Sequence, residues 1–401
     1  MRIMSSRPRP SSPAPRPSLL YVLVACAVAT IYITQPVLPI LQREFAVTPA
    51  MASLSVSAVI LGMAATTLPI GMLADRYPVR RLILIGGCVV AGAGVVCAIT
   101  ESFAVLVAMR LVQGAFIPAL TTCTATWLSR TLPPSALNVA MGTYVAATVA
   151  GGLGGRLLGG FVSALHWRYA FVSAGLATLV VTLLATWRLT HSAPPAMQPG
   201  TSARLRHLVA GRAQLLAQIA AFGAFGAFST VFNYFPFYLS KPPWSVSTAT
   251  ITSLYVVYVA GLVTGPLAGK LGDRIGNGAV MVAGALLLGV ALLFTAVVAV
   301  PALIASLIGV CAGFFAIHAA AVGALNRSLS HDRGKANALY TLFYYVGGAV
   351  GIAAGGALYT RVGWPGALAV ALSMSLLPLG VGVLQWSEWL RSRETWRAAN
   401  E

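Results

Sequence analysis

Two arginines, Arg110 and Arg156, stand inside apolar runs of membrane-crossing length, and no acidic residue shares any such run. Glu44 and Glu101 fall on one side of the runs; Asp75, Asp273, Asp332, Glu388, Glu394 and Glu401 fall on the other. A guanidinium in hydrocarbon costs at least about 2.5–3.5 kcal/mol, so it needs a partner or a water-filled path. At 1.5 Å per helical residue, Arg110 lies roughly 10 Å deep. Arg156 is at similar depth in the next run, which crosses in the other direction. Their possible partners are backbone carbonyls, Gln35, Gln113, water or an anionic ligand. The expectation is that the two groups share one cavity, with Arg110 at least lining it. The plainer alternative is that both snorkel outward.

His318 is the other group in these runs suited to chemistry. It follows Phe314 by four residues, which puts both on one helix face. Histidine titrates near neutrality, so His318 is the candidate for exchanging a proton; a hydrogen-bonded packing role is the alternative. Aromatic residues gather in the second half: Phe225, Phe228 and Phe232, then Tyr255 and Tyr258, Phe314 and Phe315, and Tyr340 and Tyr344. Flat rings with phenol groups suit an amphipathic ligand, although such stripes also serve as plain packing. Tyr32, Gln35 and Asn233 could add hydrogen bonds to such a site.

The chain that must position these groups is 58% hydrophobic and 8% charged, with a mean hydropathy of +0.83. A soluble domain carries about a quarter charged residues, so this chain cannot cover itself against water. Twelve apolar runs read as membrane-spanning helices: 19–41, 49–73, 82–99, 103–128, 136–162, 169–189, 213–239, 247–269, 279–299, 302–325, 336–360 and 366–386. Helices are preferred to strands because polar alternation is missing and a helix satisfies its own backbone in lipid. The net charge of +18 and pI near 10.4 would suggest nucleic acid in a soluble chain. Here Lys and Arg divide 20 to 4 between the two sides, with Arg110 and Arg156 completing the 26. That asymmetry places both termini in the cytoplasm and argues against nucleic-acid binding. The first run is long enough to span and lacks a clear cleavage site, so it reads as a retained helix, not a signal peptide.

Residues 1–18 read as a disordered cytoplasmic tail, 19–189 as a six-helix bundle and 190–212 as a cytoplasmic linker. Residues 213–386 read as a second six-helix bundle and 387–401 as a cytoplasmic tail. The five cysteines lie in apolar runs without paired spacing and read as packing residues.

The halves repeat. Gly71-Met72-Leu73-Ala74-Asp75-Arg76 returns 198 residues later as Gly269-Lys270-Leu271-Gly272-Asp273-Arg274. Gly151-Gly152, Gly159-Gly160 and His166-Trp167 match Gly347-Gly348, Gly355-Gly356 and Gly363-Trp364 at offsets of 196 to 197. A series at nearly constant offset indicates duplication in parallel orientation. Gly151, Gly155 and Gly159 lie on one helix face, where they permit close backbone approach. They serve either static packing or a sliding contact between halves. Asp75 and Asp273 sit at helix ends, where an anion can bind arginines such as Arg76, Arg80 or Arg130, or simply cap a turn.

On these residues the chain resembles the major facilitator superfamily. Gly71, Leu73, Asp75, Arg76 and Arg80 match its loop signature between helices two and three. Gly269, Leu271, Asp273, Arg274 and Gly276 match the second copy, and Arg110, Gln113 and Gly114 resemble its fourth-helix signature. Gln35-Pro36, Phe232-Asn233-Tyr234, Gly313-Phe314-Phe315 with His318, Tyr344-Tyr345 and Gly363-Trp364 are similar to the YnfM type, the acriflavine-sensitivity branch of bacterial inner-membrane transporters. The resemblance implies an all-α membrane protein of twelve helices in two parallel repeats. It also implies proton-driven export of a small amphipathic molecule, and a gating latch at Asp75, Arg76, Arg80, Arg130, Asp273 and Arg274. Pro78 and Val79 depart from the loop signature, and Ala150–Arg156 lacks the proline of the fifth-helix antiporter signature.

The expected ligand-binding set is therefore Arg110, Gln113, Gln35, Tyr32, Arg156, Phe232, Asn233, Tyr258, Phe314 and Tyr344. His318 is expected to couple protons, with Gly151 and Gly155 among the gating residues. A cationic ligand is disfavoured, because no span offers a buried anion. An importer or facilitator of an anionic or neutral metabolite is the alternative, and a membrane-embedded enzyme is remote. No metal-ligand spacing and no P-loop occur, so no cofactor is expected. The expected partners are a small molecule, protons and the lipid bilayer, with the protein a monomer in the bacterial inner membrane.

Overall fold

The computed structural model describes residues 17–189, 211–329 and 333–398. Most of the tail expected over 1–18, most of the linker over 190–212 and the last residues of the tail over 387–401 lie outside the described residues. Among the described residues, twelve helices are long and apolar enough to cross a membrane. The first six are α1 (Ser18–Glu44), α2 (Pro49–Arg76), α3 (Val79–Ile99), α4 (Phe103–Thr131), α5 (Ser135–Val162) and α6 (Trp167–Arg188). The second six are α7 (Arg212–Leu239), α8 (Thr248–Ile275), α9 (Asn277–Phe294), α10 (Val300–Arg327), α11 (Ala336–Val362) and α12 (Trp364–Ser392). No strand occurs among the described residues. This is the all-α, twice-repeated architecture expected.

Several helices outrun their apolar cores. The last stays helical to Ala398, well beyond the boundary expected at 386, because an α-helix needs no hydrocarbon to satisfy its backbone. An ion pair between Arg212 and Glu388 holds this extension against the start of α7.

Two breaks matter for the site. In α1 the regular helix stops at Tyr32, and a tight turn over Gln35–Val37 precedes Leu38–Glu44. Pro36 has no N–H to continue the ladder. In α8 the same tightening occurs over Tyr255–Tyr258, between Thr248–Leu254 and Val259–Ile275.

The glycine faces pack within each half. A Cβ on Gly151, Gly155 or Gly159 would overlap the backbone of Ala25, Ala29 or Ile33 in α1. One on Gly347 or Gly351 would overlap Phe222 or Gly226 in α7. The sliding contact between halves considered for Gly151 and Gly155 is thus corrected: both press α5 onto α1 of the same half, where no relative motion of halves occurs. The neighbouring glycines do meet the other half. Gly160 faces Thr252 of α8, and Gly356 faces Ala50 of α2.

Residues 17 and 398 lie on the same side of the bundle, here called the terminal face. On the opposite face the halves are joined by these glycine contacts and by Asn233, whose Nδ2 donates to Ser53 Oγ at 2.6 Å. On the terminal face, two ion pairs among the described residues each stay within a half. Arg130 binds Asp75 at 2.7 Å, and Arg327 binds Asp273 at 2.6 Å.

Candidate functional site

Arg156 stands where the halves meet, 1% exposed. The turn in α1 presents Gln35, whose Oε1 accepts from Arg156 Nε at 2.7 Å; Nη1 donates to the Gly152 carbonyl at 2.6 Å. The turn in α8 presents Tyr258 from the other half, and its hydroxyl accepts from Nη2 at 2.7 Å. The guanidinium carbon lies 3.8 Å from the centre of the Tyr32 ring and 4.1 Å from that of Tyr258. Every partner here is neutral. Two ring faces supply cation–π attraction, which does not cancel the charge.

From Tyr258 an aromatic layer runs through the second half. Phe228 packs edge-on to Tyr258 at 5.3 Å and stacks on Phe314 at 4.0 Å. Phe232 touches Phe228 and Tyr258, and Phe225 stacks on Tyr344 at 3.7 Å. His318 closes the layer, 5.4 Å from Tyr344, with its Nδ1 2.9 Å from the Tyr340 hydroxyl. Which of the two donates depends on the imidazole tautomer. The arrangement offers one buried cation and wide π faces on a seam between two bodies. No group of metal ligands occurs among the described residues. Its chemistry is binding.

Of the expected residues, the structure brings together Tyr32, Gln35, Arg156, Phe232, Tyr258, Phe314, Tyr344 and His318. It puts Arg110, Gln113 and Asn233 elsewhere. Arg110 is 0% exposed; Nε donates to the Ser55 carbonyl at 2.6 Å, and Nη1 and Nη2 reach the carbonyls of Thr30 and Ile31, each at 2.7 Å. Nη1 also reaches Gln113 Oε1 at 2.9 Å, while Gln113 Nε2 donates to the Val90 carbonyl. The shared cavity expected for the two arginines is therefore corrected. Arg110 ties α4 to α1 and α2, because the break in α1 frees carbonyls for it. Asn233 belongs to the seam at the opposite face, through Ser53.

The latch residues also separate. Asp75 pairs with Arg130, which in addition donates to the Ala74 carbonyl at 3.0 Å. Arg76 and Arg274 are exposed at their helix ends, and Arg80 is half-buried. Asp273 pairs with Arg327, which sequence reasoning missed. It stands 197 residues after Arg130, so the repeat offset itself was the signal. Ser53 was missed as well and carried no pattern; Tyr340 was expected among the second-half aromatics, but not as the hydrogen-bond partner of His318. Asp75 is 71% exposed, and such a pair stabilises by about 0–1 kcal/mol. Asp75→Asn is therefore expected to shift the thermal midpoint little while slowing conformational exchange, read as spin-label distance distributions across the terminal face. A large loss of midpoint would mark it as a folding residue instead.

The profile of the Major Facilitator Superfamily matches residues 20–258 and 243–400. The chain is 30% identical over 363 residues to the inner membrane transport protein YnfM of Escherichia coli (strain K12), covering 88% of this chain and 86% of that one. It is 28% identical over 362 residues to the uncharacterized MFS-type transporter YybF of Bacillus subtilis (strain 168), covering 88% of each. Its fold is similar to crystal structures of a bacterial homologue of the human lysosomal transporter Spinster. The inward-facing occupied form gives a TM-score of 0.73 at 19% identity, covering 96% of this chain and 98% of that one. The inward-facing unoccupied form gives 0.67 at 17%, covering 91% and 92%. The family match and these relatives define a membrane transporter and not an enzyme. The chain belongs to the major facilitator superfamily.

Proposed function

We propose that this transporter exports a small amphipathic molecule bearing an anionic or strongly accepting group, by alternating access about Arg156. The observation that carries the reading is the Arg156 guanidinium, buried on the seam between halves among neutral partners. Tyr258 and Gln35 accept its hydrogen bonds, and an anion entering the seam would take over those hydrogen bonds. The rings of Phe228, Phe314 and Tyr344 would receive the apolar body.

The charge asymmetry supports cytoplasmic termini in a bacterial inner membrane. With that orientation, contacts gathered at the opposite face correspond to an inward-open state. The boundaries 19–189 and 213–386 then describe the two rocking bodies, joined by 190–212, within a monomer. An inside-negative potential contributes about 2.3 kcal/mol per exported negative charge per 100 mV, so anion export is driven even without a carboxylate in the spans. Proton exchange at the His318–Tyr340 pair would add to that drive. Import of an anionic or neutral metabolite is the second reading, favoured by the same carboxylate-free spans.

The test is accumulation in everted membrane vesicles of an anionic, a neutral and a cationic fluorophore, with the potential and the pH gradient collapsed separately. Export predicts potential-dependent accumulation of the anion. A preference for the cation would overturn the assignment, and efflux without accumulation would favour import. His318→Gln is expected to remove the part that depends on the pH gradient; an unchanged pH-gradient dependence would exclude His318 from coupling.

A further inference from the structure

The duplicated halves differ at one corner of the opposite face. In the first half the end of α1 is locked against the start of α6, which is tied in turn to the end of α3. Glu44 accepts from the Trp167 indole and from Arg168 Nη2, the latter at 3.0 Å. Arg168 Nη1 also donates to the carbonyls of Ala98 at 3.1 Å and Thr100 at 2.6 Å. Moving 197 residues along, Glu44 becomes Lys241, Trp167 becomes Trp364 and Arg168 becomes Pro365. Both charges of the lock are lost, and the acid is replaced by a base. Trp364 instead donates to Thr295 Oγ1 at 3.1 Å and stacks on Tyr238 at 4.7 Å.

What the missing lock leaves is a cleft of about 440 Å³. That is within the roughly 300–1,000 Å³ of small-molecule sites. Tyr238, Tyr359 and Trp364 form its apolar surface, and Lys241 stands among them with its amine 6.0 Å from the centre of the Tyr359 ring. Gln42 and Pro49 of the first half close the remaining side. None of the ion pairs among the described residues involves Lys241. Tyr359 and Trp364 are 5% and 6% exposed, so each offers the cleft only a small part of its ring; the Lys241 cation, with no carboxylate in an ion pair with it, stands beside them and is complementary to a small apolar body bearing a negative group. The Gln42 amide adds a donor at the far wall.

We propose that this cleft is a second binding site, separate from the Arg156 seam, for small aromatic carboxylates or sulfonates arriving from the face opposite the chain ends. The inference does not depend on what the central seam carries or in which direction.

The experiment is calorimetric titration of naphthalenesulfonate into the full chain in lipid nanodiscs, repeated with the neutral analogue naphthalenemethanol. Saturable binding of the sulfonate is expected, with the alcohol weaker. Lys241→Glu reverses the charge of an exposed side chain and is expected to weaken the sulfonate by at least about tenfold. In the Arg156→Gln background, where the seam takes anions weakly, Lys241→Glu combined with Pro365→Arg rebuilds the Glu–Arg lock of the first half and is expected to abolish the remaining binding. Titration of Arg156→Gln locates the signal: in a distant site the affinity should hold within about twofold. Absence of binding to the unaltered chain, equal binding to Lys241→Glu, or loss in Arg156→Gln alone would each overturn the proposal.

Discussion

Arg156→Gln is expected to weaken interaction with an anionic fluorophore by roughly 10–100-fold, the effect of one charged hydrogen-bonded contact of about 1.5–3 kcal/mol. Glutamine keeps a polar head at about the position of Nε, two bonds shorter, and removes the charge and the planar fork. The neutral fluorophore should therefore change within about threefold, since aromatic burial, not charge, would hold it. Arg156→Lys is expected to fall between the two. It restores the charge, but an ammonium cannot reach Gln35, Gly152 and Tyr258 together or lie flat between the Tyr32 and Tyr258 rings. Arg156 also bridges the halves, so a conformational effect must be separated from a recognition effect. Tyr258→Phe removes the cross-half hydrogen bond while leaving the charge in place. It is expected to retain preference for the anion while altering the distribution of spin-label distances across the opposite face. If Arg156→Gln transports the anion unchanged, the guanidinium is a structural tie and the proposed recognition is lost.

The parts of this architecture set by length, period and repetition were readable in the sequence. Apolar runs gave twelve spans, and constant offsets gave the parallel duplication, because both depend on many residues at once. The seam was partly readable: Tyr32, Gln35, Arg156 and Tyr258 were expected near one another and are. What failed was the direction in which single polar side chains point. Arg110 and Arg156 have the same sequence profile, one cation deep in an apolar run, yet one faces a break in its own bundle and the other faces the second half. The difference lies in α1. Its carbonyls at Thr30 and Ile31 turn toward α4, while Tyr32 and Gln35 turn toward α5. A break of this kind shows as a proline, but the side to which it offers its carbonyls is set by packing. The Lys241 corner was hidden for a related reason. Its meaning comes from comparing it with Glu44, and that comparison needs the first corner's hydrogen bonds to be known.

Arg110→Ala is expected to destabilise the fold strongly and to leave ligand preference untouched. The guanidinium serves the carbonyls of Thr30, Ile31 and Ser55 and the Gln113 amide, all away from water. Regular helical bonding in α1 ends at Tyr32, so the Thr30 and Ile31 carbonyls lose the donor that replaces the helical ladder. Each stranded buried group costs about 1–3 kcal/mol. Together the loss should reach roughly 3–5 kcal/mol, as when a buried ionic contact is broken from one side. That is a large share of a total stability of about 5–15 kcal/mol, so low expression and a lowered thermal midpoint in detergent are expected. Arg110→Lys should recover only part, because one ammonium cannot span three carbonyls on two helices. In the protein that does fold, the ratio of anionic to neutral fluorophore transport should match that of the unaltered chain. The opposite pattern, an unchanged midpoint with a lost anion preference, would put Arg110 in the ligand path. It would also require α1 and α4 to part during transport, exposing a guanidinium that is sealed in the present state.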